Sequence, residues 1–249
     1  MTTGARLRSL GSNPKLPTYV LFTAIGVLLV VLVIRHHVIN QDTLIFIIAF
    51  APSVILHEVS HGVVALWCGD DTAKRAGRLT LNPLKHIDPL GSIVVPVVLA
   101  LSHGPIFGWA KPVPIAVNRL RHPRNQSVYV ALAGPATNII LAAIAGVALH
   151  ELLVHNQAGL VAQIVFEFGI VNIILAVFNL IPIPPLDGSA LIERALPTSA
   201  LPTYYQLRMG FMVVVLLVVV LDPGLLSNIL GHFETWYLTV VSSGTPFSA

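Results

Sequence analysis

The chain has 249 residues, of which 55% are hydrophobic and only 10% charged, with a net charge of +3 and a mean hydropathy of +0.82. A water-soluble domain carries about 25% charged residues, so the composition excludes an ordinary soluble enzyme and points to membrane spans of about 20 residues each. The slight basic excess does not indicate a nucleic-acid partner, since Lys and Arg concentrate in cytoplasmic loops, and the lone Cys68 allows no intrachain disulfide and reads as a small core hydrophobe.

In chain order, residues 1–17 are polar and basic and carry no cleavable signal pattern, so they form a cytoplasmic N-terminal tail. The first apolar run covers residues 18–34 and the second residues 43–67. A charged loop, 69–91, holds Lys74, Arg75, Arg78 and Lys85. Residues 93–101 are apolar but too short to span, and they run into a Gly- and Pro-rich stretch ending at Ala116. Full spans follow at 128–149 and 160–181. Pro182, Pro184 and Pro185 end the latter, because successive prolines break a helix. A further span is expected at 208–221, and residues 225–241, which contain His232 and Glu234, are either a sixth span or interfacial. Repeats and appended soluble domains are absent from this reading, so residues 1–249 form a single integral-membrane domain with a catalytic core at about 43–190.

Charge orients these spans. With a cytoplasmic N-terminus and with residues 93–116 dipping in and returning, nearly every Lys and Arg falls on the inner side. The expected class is therefore an all-α polytopic membrane protein of five or six transmembrane helices in the cell membrane. Its re-entrant segment is extended or β-like and packs against the bundle, since non-helical backbone at membrane depth must be satisfied by protein or water.

The most informative motif is His57-Glu58-Val59-Ser60-His61, set inside the second apolar run. On a helix, His-Glu-x-x-His puts two imidazoles on one face, where both can ligate Zn²⁺, with the glutamate beside them as general base. Ionisable groups inside a span are costly and mark function. A catalytic zinc needs a third protein ligand, and the acidic candidates are Asp70, Asp71, Asp88, Asp187, Glu151, Glu167 and Glu193. Asp70, Asp71 and Glu193 read as solvated or paired, and His86 and Asp88 as structural. Asp187 follows the prolines that unwind the 160–181 span, so its carboxylate could enter a cavity; spacing alone does not choose it.

His57-Glu58-Val59-Ser60-His61, taken with Asn179-Leu180-Ile181-Pro182-Ile183-Pro184-Pro185-Leu186-Asp187-Gly188, resembles the paired signature of the site-2 proteases, zinc metalloproteases that cleave within membranes. The segments Phe107-Gly108-Trp109-Ala110-Lys111-Pro112-Val113-Pro114 and Ala133-Gly134-Pro135-Ala136-Thr137-Asn138 are similar to further stretches of bacterial and archaeal members. The resemblance implies that His57, His61 and Asp187 bind one zinc and that Glu58 is the catalytic acid/base. It also implies that Asn179 lies near the metal, as an oxyanion donor, and that residues 107–114 form an embedded strand holding substrate through Phe107, Gly108 and Trp109. Asn138 is a candidate substrate contact, with buried interhelical hydrogen bonding as the rival reading. PDZ-like and CBS-like regulatory domains found in some relatives are not expected.

The function expected from these residues is intramembrane endopeptidase activity on a membrane-protein substrate with a single transmembrane helix. The lipid bilayer is the surrounding medium. Two other readings use the same ligands, a zinc-binding transporter and an inactive scaffold. The transporter needs a polar pathway through the outer half of the bundle, and the scaffold has no use for Glu58.

Overall fold

The structure, a computed structural model, describes Arg35 and residues 40–101 and 108–246. The expected span at 18–34 and the candidate substrate contact Phe107 lie outside the described residues. Helix α1 covers Gln41–Trp67. Its start is set by Asn40, whose side chain accepts the Thr43 N–H at 2.8 Å, with Asp42 in the positive first turn. A short α2 covers Thr72–Arg75, and α3, Val95–Leu101, follows a π-helical turn at Pro89–Val94. Next come α4, Pro123–Val154, and α5, Leu160–Leu180. Then α6, Ser189–Ala195, leads into α7, Leu201–Leu221, and α8, Pro223–Ser242.

Among the described residues, α1, α4 and α5 are long and apolar enough to cross a membrane, matching the expected runs at 43–67, 128–149 and 160–181. Helix α7 begins before the expected 208, because Leu201 to Leu207 are compatible with a helix although less apolar. The segment 225–241 is helical within α8.

Helices α1, α4 and α5 pack against one another, and their polarity is inverted relative to a water-soluble bundle. Ser53, His57, His61, Asn138 and Asn172 are buried, whereas Leu44, Ile47, Ile48, Ile140, Ile144, Val147 and Val161 are exposed. Polar groups inside and apolar groups outside suit a hydrocarbon solvent. The helices approach closely through small residues, among them Ala49, Ala142, Ala145 and Ala176. Helix α8 seals the far end by placing Tyr237 against Gly169, where a Cβ would lie 2.0 Å from its hydroxyl. Tyr237 joins Leu149, Leu153, Ala162, Ile170 and Val241 in one apolar cluster. Cys68 packs as expected, against Ala65, Leu120 and Val130.

Residues 93–116 differ from the expected extended hairpin. The Asp88 carboxylate accepts the N–H groups of Leu90 and Gly91 at 3.0 and 2.7 Å, and Pro89 occupies the first position of the turn. Together they start a helix where an extended chain was anticipated. No strand forms among the described residues. The second half, from Gly108 to Ala116, is irregular but held at alternate residues. Trp109 N–H donates to Gly91 O at 3.1 Å and Lys111 N–H to His86 O at 2.8 Å. Val113 N–H donates to Glu58 Oε2 at 2.8 Å. The Ser92 hydroxyl donates to Trp109 O at 2.9 Å and Arg78 to Lys111 O at 2.6 Å. Pro112 and Pro114, which have no N–H, fall between the anchored positions.

The last anchor corrects the expectation for Asp70. Instead of being solvated, Asp70 is completely buried and accepts the Ala116 N–H at 2.6 Å, the Thr72 N–H at 3.0 Å and the Thr72 hydroxyl. Burial pushes its carboxyl pKa up, but these donors outweigh burial and hold it below the usual carboxylate range. Asp71 stays at the surface, paired with Arg75 and Arg119. His86 and Asp88 serve as structural groups, as expected, with His86 Nε2 on Thr80 O at 2.9 Å.

Candidate metal centre

His57 and His61 stand one helical turn apart on the buried face of α1, with ring centroids 4.7 Å apart and planes nearly perpendicular. Asp187 arrives from the segment after α5. Pro182, Pro184 and Pro185 stop the helix, and Gly188 N–H returns to Asn179 O at 2.6 Å. That return demands glycine, since a Cβ at 188 would lie 2.3 Å from Leu180 O. Asp187 is thereby fixed between the end of α5 and the start of α6. Its Oδ2 lies 3.1 Å from His57 Nε2 and 3.4 Å from His61 Nε2.

Among the described residues, one His/Cys/Asp/Glu group has the arrangement of a metal site. It consists of His57, His61 and Asp187, whose ligand atoms all lie within 4.8 Å of one another. The donor chemistry fits a divalent metal. His61 Nδ1 lies 2.7 Å from Val130 O, a carbonyl that can only accept, so Nδ1 carries the hydrogen. His57 Nδ1 is similarly engaged by Asn138 Oδ1 at 2.5 Å. Each neutral imidazole then has its lone pair on Nε2, facing the other Nε2 and a carboxylate oxygen. Three converging lone pairs repel unless a metal ion or a proton lies between them, and a metal ion satisfies all three at once. Two nitrogens and one oxygen are also a ligand set of catalytic rather than closed structural zinc sites.

Helix α4 forms one wall of this centre. Gly134 lies so close that a Cβ there would be 2.5 Å from His57 Cε1, His57 Nε2 and His61 Nε2 alike. Its side-chain position is the metal's own surroundings, which gives the Ala133-Gly134-Pro135 stretch a local role that its composition alone did not disclose.

Glu58 adjoins His57 in sequence and is oriented by the Val113 N–H. Asn138 is completely buried and bonds both His57 and Asn172, the arrangement of the interhelical reading. Asn179 lies in the last turn of α5, its amide donating to Leu175 O at 3.0 Å. Gly108 and Trp109 lie on the anchored segment, where the Trp109 indole covers Gly91. Asn172 and Ser53, absent from the sequence reading, are also completely buried beside the centre. The available signal was an Asn with only apolar neighbours from Gly169 to Phe178.

The profile of Peptidase family M50 matches residues 150–221. Relatives that carry the name "Putative zinc metalloprotease" include YwhC of Bacillus subtilis, 39% identical over 200 residues, which are 76% of this chain and 83% of that protein. Rip2 of Mycolicibacterium smegmatis is 32% identical over 179 residues, 70% of this chain and 68% of that protein. MJ0611 of Methanocaldococcus jannaschii is 31% identical over 158 residues, 62% of this chain and 73% of that protein. No solved structure matches the chain. Identity sustained along most of both sequences, joined to the paired motifs read above, assigns this chain to peptidase family M50, the site-2 protease family.

Proposed function

We propose that this chain is a zinc-dependent intramembrane endopeptidase that cleaves the transmembrane segment of a membrane-protein substrate. The observation that carries the reading is the convergence of His57, His61 and Asp187 immediately beside Glu58, inside a bundle with an apolar exterior. The names of the relatives, which specify zinc, support that metal.

His57, His61 and Asp187 would hold the ion. Bound zinc would supply a water of pKa about 7 and polarise the scissile carbonyl. Glu58 accepts the proton of the attacking water and delivers it to the leaving amide nitrogen. The Val113 N–H engages Oε2, which aims the carboxylate and makes Oε1 the proton-accepting oxygen. Asn179, by turning its amide from Leu175 O, donates to the oxyanion.

A substrate helix must unwind before its carbonyls are accessible. The segment that includes Gly108 and Trp109, together with Phe107, receives the unwound chain by strand addition. Its inner edge is occupied by the bonds from Trp109, Lys111 and Val113, so the outer edge takes the substrate. The centre lies toward the cytoplasmic leaflet, with the N-terminus on the same side. An intact Glu58 weighs against the scaffold reading. The mutual pairing of Ser53, Asn138 and Asn172 weighs against a transporter, because these groups bond each other rather than line a path.

The test is Glu58→Gln, assayed for zinc content and for cleavage of a single-span peptide. Zinc should remain bound while cleavage falls roughly 10²–10⁴-fold, the usual cost of losing a general acid/base. Undiminished cleavage by the zinc-loaded variant would end the mechanism.

A further inference from the structure

An unbroken line of hydrogen bonds crosses three helices and ends on a metal-facing imidazole. Its far end rests on two backbone carbonyls. Asn172 of α5 donates through Nδ2 to Phe168 O, one turn back on its own helix, and to Ser53 Oγ of α1, both at 2.7 Å. The Ser53 hydroxyl in turn donates to Ala49 O at 2.7 Å. Asn138 of α4 donates through Nδ2 to Asn172 Oδ1 at 2.7 Å, and its own Oδ1 meets His57 Nδ1 at 2.5 Å. Ser53, Asn138 and Asn172 are each 0% exposed.

The direction of this line follows from the carbonyls. Phe168 O has no hydrogen to give, so the Asn172 edge facing it must be the amide NH₂, and its oxygen must face α4. That oxygen can only accept, so Asn138 presents NH₂ to Asn172 and oxygen to His57. Nδ1 of His57 must then carry the hydrogen, which leaves the Nε2 lone pair for the metal.

His61 needs no such device, because Val130 O lies directly against its Nδ1 and cannot be reversed. His57 depends on a carboxamide, whose two ends have nearly the same shape. Asn138 rotated end for end would offer NH₂ to Nδ1, demand a lone pair there and move the hydrogen to Nε2, where the metal binds. Asn172 blocks this rotation, since it would set the Asn138 oxygen against the Asn172 oxygen in a dry interior.

We propose that Asn172, supported by Ser53, is a positioning residue of the metal centre that fixes the donor sense of His57 through Asn138. The inference rests on His57, His61 and Asp187 being the zinc ligands.

The experiment uses the full chain in detergent micelles, with zinc affinity measured by competition against a chromophoric chelator and thermal melting of the metal-free protein measured in parallel. Asn172→Leu preserves volume and apolar packing but removes the acceptor for Asn138. It should weaken zinc binding by roughly 10–100-fold, the usual effect of losing an outer hydrogen-bond partner of a ligand, while the metal-free chain still melts cooperatively. The decisive variant is Asn138→Asp, whose two oxygens both accept and which has no wrong way round. In that background an oxygen of the introduced carboxylate faces the Asn172 oxygen, so the same Asn172→Leu change should leave zinc affinity unchanged or raise it, never lower it. A purely structural Asn172 would not be rescued in this way. Should Asn172→Leu not fold, Ser53→Ala is the milder version, and its loss of affinity should likewise vanish in the Asn138→Asp background. Unchanged zinc affinity in both Asn172→Leu and Ser53→Ala, or equal losses with and without Asn138→Asp, overturns the proposal. A wild-type chain that binds no zinc overturns the ligand assignment itself, a separate failure visible before any variant is made.

Discussion

Replacing Gly134 by alanine adds one methyl group at a place the structure marks as critical. The new Cβ would lie 2.5 Å from atoms of both imidazoles, about 0.9 Å short of the 3.4 Å at which ordinary contact begins. The obstruction is ring carbon and nitrogen held by buried partners, with no flexible side chain to swing aside. Either α4 or the two rings must therefore retreat by most of that distance. A zinc–nitrogen bond of 2.0–2.1 Å tolerates displacements of about 0.2 Å, so the centre cannot absorb the shift. Fold stability should change far less. Overpacking costs about 1–3 kcal/mol, and replacing a mid-helix glycine by alanine returns roughly 0.5–1 kcal/mol. We therefore expect Gly134→Ala to remain folded while zinc affinity drops at least ~100-fold, about 2.8 kcal/mol at 1.4 kcal/mol per decade. Chelator competition and metal-free melting measure the two quantities separately. Gly231→Ala is the control, because a Cβ at 231 meets nothing within 4 Å. Wild-type zinc affinity in Gly134→Ala would refute the argument that α4 presses on the ligands.

Further outcomes can be measured on the same preparation. His57→Ala, His61→Ala and Asp187→Ala should each lose stoichiometric zinc, determined by elemental analysis after dialysis; full zinc and activity in Asp187→Ala would refute the third-ligand assignment. Asp70→Asn should cost about 1–3 kcal/mol by leaving a buried donor unsatisfied, seen as faster hydrogen exchange at the Ala116 amide. The Asp70 carboxyl is held below its ordinary value of 3.8, so its contribution is fully present above that value and lost as pH falls through the lower folded one. The gap in stability between wild type and Asp70→Asn should therefore narrow only below pH 3.8; a gap constant into acid would contradict this. Cysteines introduced near Lys74, Arg121 and Arg194 should all be labelled from the cytoplasmic side, and one near Gln157 only from outside. Opposite labelling at Lys74 and Arg121 would show that residues 93–116 cross the membrane.

The sequence disclosed what depends on residue type and local spacing. His57 and His61 four apart on a helix, Asp187 after a run of prolines and three long apolar spans need no knowledge of partners, and all appear where they were read. Asn172, and the bond from Asn138 to His57, were obscure for the opposite reason. Their significance lies in contacts between residues 34, 81 and 119 positions apart, which no periodicity encodes. Gly134 was visible only as part of a weak motif, because its necessity comes from another helix approaching it. The helix that follows Asp88 was not expected, because the prolines of residues 93–116 suggest an extended chain. Asp70 was read from its charged neighbours, although Thr72 and a loop 46 residues away enclose it.

Pro112 and Pro114 also decide what the anchored segment cannot do. Its inner edge is consumed through Trp109, Lys111 and Val113, and of the intervening residues 110, 112 and 114 only Ala110 has an N–H. Such an edge is unsuited to pairing with a copy of itself, because carbonyl would face carbonyl along most of its length. Exposed edges ordinarily invite self-association; here the invitation extends only to a chain that brings its own hydrogens. Under the proposed function, a substrate strand pairing here would have to supply the N–H groups itself.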